Sequence, residues 1–248
     1  MSSVRHIAVA PVYVEPEEPW IAAFDAADNE TLIHTFACVW EDVVQGRVGS
    51  WRESTAEDCA CCVAEVLDEP RGLDPDDASL VASVLCGEPR KALACDLNIA
   101  ISTATGRVLR TLSKLELADR PVPLPLVLAA QTWAGVSRLP SARAASFEDQ
   151  GRRYLAMSVP RPATAHLTTL TRAQQEVARW LLEGCTRNEI ADRRETSVLT
   201  VAGQVHSIFS ALRVTGRYAL IRRAVELGCF HELRVVHASQ PRMTTDAR

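Results

Sequence analysis

The 248-residue chain is 47% hydrophobic and 23% charged, ordinary for a globular protein and enough for one large core or two small ones. Its net charge of −4 is unevenly divided: residues 1–160 hold 14 basic and 23 acidic side chains (−9), and residues 161–248 hold 13 arginines and 8 acids (+5). This excludes a wholly basic, nonspecifically adhesive protein and leaves a locally basic C-terminal part suited to nucleic acid.

The N-terminal stretch MSSVRHIAVAPVYVEPEEPW has an apolar run that breaks at Pro11 and is followed by acids, unlike an export signal. No run of about 18 apolar residues exists, so no membrane span is expected. The expectation is a cytoplasmic protein whose eight cysteines are mostly reduced thiols. Residues 1–30 stay unassigned. A first unit is expected at 31–133, opening with the helix TLIHTFACVWEDVVQ (31–45) and a β-hairpin at 47–67. The CACC run in that hairpin carries Cys59, Cys61 and Cys62, and with His34 and Cys38 it offers spacings a zinc ion could use. On a strand, however, Cys59 and Cys61 share a face and Cys62 points away, which reads as small apolar packing; no metal is expected. The acids of DEPRGLDPDD (68–77) precede a helix, where they complement its dipole.

Residues 73–133 carry three helical stretches and the apolar helix PLVLAAQTWAGV (125–136), entered through Pro121, Pro123 and Pro125. On the third stretch Ala104, Val108, Leu112 and Leu115 form an inward face. Thr103, Arg107, Arg110 and Lys114 form the opposite one. A second hairpin is expected at 134–162, with its tip at Asp149-Gln150-Gly151. Beyond it, Thr171 is a good N-cap, Val177, Trp180 and Leu181 recur at helical spacing, and Gly184 stops the helix. A short helix RNEIADRR follows. A third carries Val201, Val205, Ile208 and Leu212 inward and Thr200, Gln204 and Ser207 outward. Two short helices joined by a tight turn, the second with an apolar back, have a helix-turn-helix layout.

Leu170-Thr171, Gly184, Glu189-Ile190-Ala191, Ser197, Thr200-Val201, Ile208, Leu212 and Val214 resemble the LuxR-type helix-turn-helix in order and spacing. The resemblance covers about 60 residues of a domain expected at 163–232, before a tail at 233–248. It implies DNA binding and transcription control, and a fourth, dimerising helix in GRYALIRRAVELG, so that the expected assembly is either a homodimer through 216–228 or an intramolecular pseudo-dimer of two reading heads in one chain. Arg194 stands where that family buries a leucine, Ala202 and Ala211 where it carries basic residues, and Arg213 where it has a glycine.

Shifting the chain by 97 residues places 73–117 on 170–214 without a gap, with ten of 45 positions identical, among them Gly87/Gly184, Thr103/Thr200 and Gly106/Gly203. A shift of 93 likewise relates the two hairpins and pairs Trp40 with Trp133. The expected fold is therefore mainly α with small β-hairpins, as two tandem helix–hairpin–helix-turn-helix units, the first degenerate.

The expected function is a transcriptional regulator that reads double-stranded DNA through the major groove. Thr103, Arg107 and Arg110 on one unit and Thr200, Gln204 and Ser207 on the other would face bases, with Lys114, Arg187, Arg193 and Arg194 on phosphates. Arginine can donate twice to guanine and glutamine can bond adenine twice. The competing reading is a degenerate interaction module that modulates RNA polymerase, a sigma factor or another regulator without touching DNA. No nucleophile elbow, phosphate-binding glycine loop, HExxH or dinucleotide fingerprint is present, so neither an enzyme nor a cofactor is expected.

Overall fold

The computed structural model describes residues 29–55, 59–118, 121–137 and 142–230. Most of the unassigned segment 1–30 and the tail expected at 233–248 lie outside the described residues, as does the side chain of His34.

Helix α1 (Asn29–Val44) leads into β1 (Val48–Thr55) and β2 (Cys59–Val66), followed by α2 (Pro75–Leu85), α3 (Arg90–Asp96) and α4 (Ile101–Lys114). After α5 (Leu124–Trp133) the order repeats as β3 (Arg143–Asp149), β4 (Arg152–Pro160), α6 (Arg172–Leu182), α7 (Arg187–Arg193), α8 (Val198–Leu212) and α9 (Arg217–Glu226). The four strands make one antiparallel sheet in the order β1-β2-β4-β3.

This sheet overturns the expectation of a mainly α protein built as two tandem units with small hairpins. The fold is mixed α/β, and the hairpins are halves of one sheet. An isolated hairpin leaves unpaired edges and buries too little surface to stand alone. Pairing β2 with β4 satisfies one edge of each hairpin. It also aligns Cys62 and Ala64 with Met157 and Leu155 on one apolar face. Helices α1 and α5 pack on the sheet and on each other, burying Phe36, Val39, Trp40, Val43 and the run Leu126–Ala130. One apolar cluster then extends from this layer into all the helices that follow.

The join carries a local two-fold relation. Val63 of β2 pairs with Ala156 of β4, its own counterpart at a 93-residue shift. The helical triads α2–α4 and α6–α8 keep the 97-residue shift, and so do three left-handed backbone positions: Gly87/Gly184, Asn98/Glu195 and Glu116/Arg213. The two glycines turn the chain out of α2 and α6 at φ +89° and +94°, where a side chain is strained. Each also abuts the other half. A Cβ on Gly87 would sit 2.7 Å from Ala219 Cα, and one on Gly184 would sit 3.7 Å from Pro121 Cβ.

The helix ends separate the copies. Thr171 and Thr186 form capping boxes with Gln174 and Glu189, and Ser197 accepts from the Thr200 amide. In the upstream triad Asp74 caps α2, but Pro89 and Ala100 begin α3 and α4 without a side-chain bond. Helix α9 buries Leu220, Ile221 and Ala224 against α2, α5, α6 and α8. At its start Arg217 donates to the carbonyls of Leu181 (3.0 Å), Leu182 (3.3 Å) and Val122 (2.8 Å), joining the end of α6 to the entry of α5.

Candidate nucleic-acid interface

The outward faces of α4 and α8 follow from what their inward faces bury. Ala104, Val108, Thr111 and Leu112 hold α4, with Leu115 just beyond its end, and Val201, Val205, Ile208 and Leu212 hold α8. The buried Thr111 hydroxyl donates to the Arg107 carbonyl at 3.0 Å, so a polar side chain fills the place of Ile208 at no hydrogen-bond loss.

On α4, Thr103, Arg110 and Lys114 are exposed. The Arg110 Nε–H donates to its own helix at Gly106 O, 3.4 Å away. Arg107 differs from them. Its Nε lies 2.6 Å from Asp77 Oδ1 on α2, and that carboxylate, with Asp76 and Asp74 beyond it, pushes the guanidinium further toward its charged form. Arg107 therefore braces α4 against α2, and base contact requires that pair to open.

On the downstream triad, Arg187, Arg193, Thr200 and Ser207 are exposed. Arg193 Nη1 donates to Cys185 Sγ at 3.0 Å, and the Ser207 hydroxyl to Gly203 O at 3.0 Å. Gln204 is half-buried, its Oε1 accepting from Arg194 Nη1 at 2.5 Å. A glutamine held this way keeps its amide nitrogen for a base. Arg194, placed where the resembled family buries a leucine, is thus the positioning partner of Gln204.

The structure gathers the expected residues into two sets, one on α4 and one on α7 and α8. Sequence reasoning passed over Arg90 and Lys91, exposed in the first turn of α3, although the Arg90/Arg187 identity marked that position. It also passed over exposed apolar side chains at the helix starts: Ile101 and its counterpart Val198, with Leu199 82% exposed beside it. Leu97 and Leu109 add to the upstream patch. Among the described residues no group of three or more His, Cys, Asp or Glu could hold a metal ion, and no helix is long and apolar enough to cross a membrane. No protein-family profile matches the chain, and no curated protein matches it.

Proposed function

We propose that the protein is a DNA-binding transcriptional regulator of LuxR-like type, in which α4 and α8 enter the major groove as two reading heads of one chain. The observation that carries this reading is the reciprocal packing of the two copies: β2 pairs with β4 about the counterparts Val63 and Ala156, Gly87 abuts the start of α9, and its counterpart Gly184 abuts the entry to α5. A helix-turn-helix dimer presents two recognition helices across a two-fold axis to half-sites about one turn apart. In this reading a single chain supplies both helices, and the local two-fold at the β2–β4 join takes the place of the dimer axis. The fourth helix, which the resemblance gives to dimerisation, has its apolar face committed within the chain.

The heads differ in chemistry. Arg110 and Lys114, supported by Arg90 and Lys91, suit guanine and phosphate; Thr200, Ser207 and the positioned Gln204 suit bases, with Arg187 and Arg193 on the backbone. The test is a salt titration of duplex binding. Binding should weaken linearly in log salt, and Lys114→Glu or Arg187→Glu should each lower the slope by about one. Affinity no tighter than about millimolar at low salt, below the nonspecific range, would contradict the proposal.

One observation favours a second reading for the upstream head. Leu97, Ile101 and Leu109 are exposed and Arg107 is engaged by Asp77. Such a surface suits RNA polymerase or another regulator. In that case Lys114→Glu leaves DNA affinity unchanged while Arg187→Glu lowers it.

A further inference from the structure

The face of the sheet turned away from α1 and α5 carries a small cluster of Cys61, Ala145 and Ala156, flanked by Cys59, Val63 and Phe147. Within it the Cys59 and Cys61 sulfurs are 3.4 Å apart, and Cys61 Sγ also donates to Ser158 Oγ on β4 at 3.4 Å. Cys59 is partly exposed, Cys61 is buried, and Cys62 faces the opposite side of the sheet in the main core. We propose that Cys59 and Cys61 form a reversible peroxide-sensitive dithiol, with Cys59 the sulfur that is oxidised first and Cys61 the one that resolves it.

The geometry supports each part of the assignment. Residues two apart on a strand have Cα atoms about 6.4–6.8 Å apart. Disulfides span Cα separations of about 4.4–6.8 Å, so this bond closes at the upper limit. A disulfide at that limit is strained and readily reduced, as a switch requires and a permanent staple does not. Of the two sulfurs, Cys59 is the one open to a small oxidant from solvent, since Cys61 is buried. Its thiolate attacks a hydroperoxide oxygen, the O–O bond breaks, and the departing oxygen leaves as water or an alcohol after taking up a proton. Cys59 is then a sulfenic acid. Cys61 sulfur attacks Cys59 sulfur, the S–O bond breaks, and hydroxide leaves as water with the Cys61 proton. Two thiols have lost two electrons and two protons, and the peroxide has been reduced. The hydrogen bond with Cys59, and after it burial, push the Cys61 thiol strongly up, which keeps it protonated until the sulfenic acid is beside it. Because Cys61 pairs with Ser158 across the β2–β4 junction, closure shortens β2 where the two hairpins meet.

The experiment exposes the intact, folded protein to stoichiometric hydrogen peroxide, then blocks remaining thiols with N-ethylmaleimide in denaturant. The peptide 53–71, released by cleavage after Arg52 and Arg71, is weighed and fragmented. The expected product carries maleimide on Cys62 alone and is two hydrogens lighter between Cys59 and Cys61. Dithiothreitol should return it to three alkylated thiols. Cys61→Ser, which keeps a hydroxyl beside Ser158, should stop at a Cys59 sulfenic acid that dimedone traps. Three alkylated cysteines after peroxide, a Cys59 sulfinic acid with Cys61 still alkylated, or a bond to Cys62 would each overturn the proposal.

Discussion

Single residues decide how much of the basic surface is available. Arg107, Arg110 and Lys114 follow one another along α4 in the sequence, yet Arg107 is bound to Asp77, 30 positions away, and the other two are not. Helical periodicity finds the face; it cannot reveal a partner on another helix. Arg107→Glu is for that reason a poor probe of DNA contact, since it sets two carboxylates together and disturbs the triad itself. A different residue-level consequence concerns buried thiols. Burial lifts the Cys86 and Cys229 thiols from an ordinary 9.0 to about 11. The unfolded thiols ionise first, so their contribution is complete below pH 9 and is lost as pH rises toward 11. Each should remove about 2 kcal/mol of stability over that interval. Denaturant titrations from pH 8 to 11 should show a flatter decline for a Cys86→Ala, Cys229→Ala variant than for wild type. The two turn glycines offer a third contrast. A Cβ on Gly87 meets backbone at 2.7 Å, whereas one on Gly184 meets Arg217 Nη2 at 3.2 Å, the nitrogen that donates to Leu182 O. Gly184→Ala should cost at least the about 1–2 kcal/mol of the left-handed backbone, and Gly87→Ala more than Gly184→Ala, by urea unfolding.

At the scale of elements, the downstream triad was legible because its signals are local. Thr171, Thr186 and Ser197 cap helices, Gly184 ends one, and Gln150-Gly151 turns a hairpin with both residues at positive φ. The upstream triad has Pro89 and Ala100 in place of two of those caps. Only its register against the better copy made it readable. Ala100 has the extended conformation of an N-cap without a side chain to use it. Ala100→Ser is therefore expected to stabilise the protein by about 1 kcal/mol, measured as a shift of the urea midpoint at unchanged m-value. Arg213 ends α8 in the left-handed region at φ 57°. Arg213→Gly should give a similar gain. If Arg213 also meets phosphate, the same change will weaken DNA binding while raising stability.

For the whole molecule, what the sequence did not disclose is the sheet. The alternation through Cys62 and Ala64 and through Leu155, Met157 and Val159 marks two strands with one apolar face each, but nothing local says that these two strands pair with one another. The repeat was visible as sequence similarity; its closure into one body was not. That closure depends on Arg217, whose burial disfavours its charge and whose three carbonyl acceptors come from both halves of the chain. Arg217→Met should destabilise by about 3 kcal/mol or more, and Arg217→Lys should recover little, because one ammonium cannot reproduce the guanidinium fork. The proposed reader has two unlike heads and so makes a definite demand on the DNA it would bind. Selection of binding sites from genomic fragments tests the central claim most directly. The result expected is an enriched pair of dissimilar half-sites, spaced by about one helical turn or a multiple of it and protected by a single chain. Enrichment of one isolated half-site, or of no site at all, would contradict a two-headed reader.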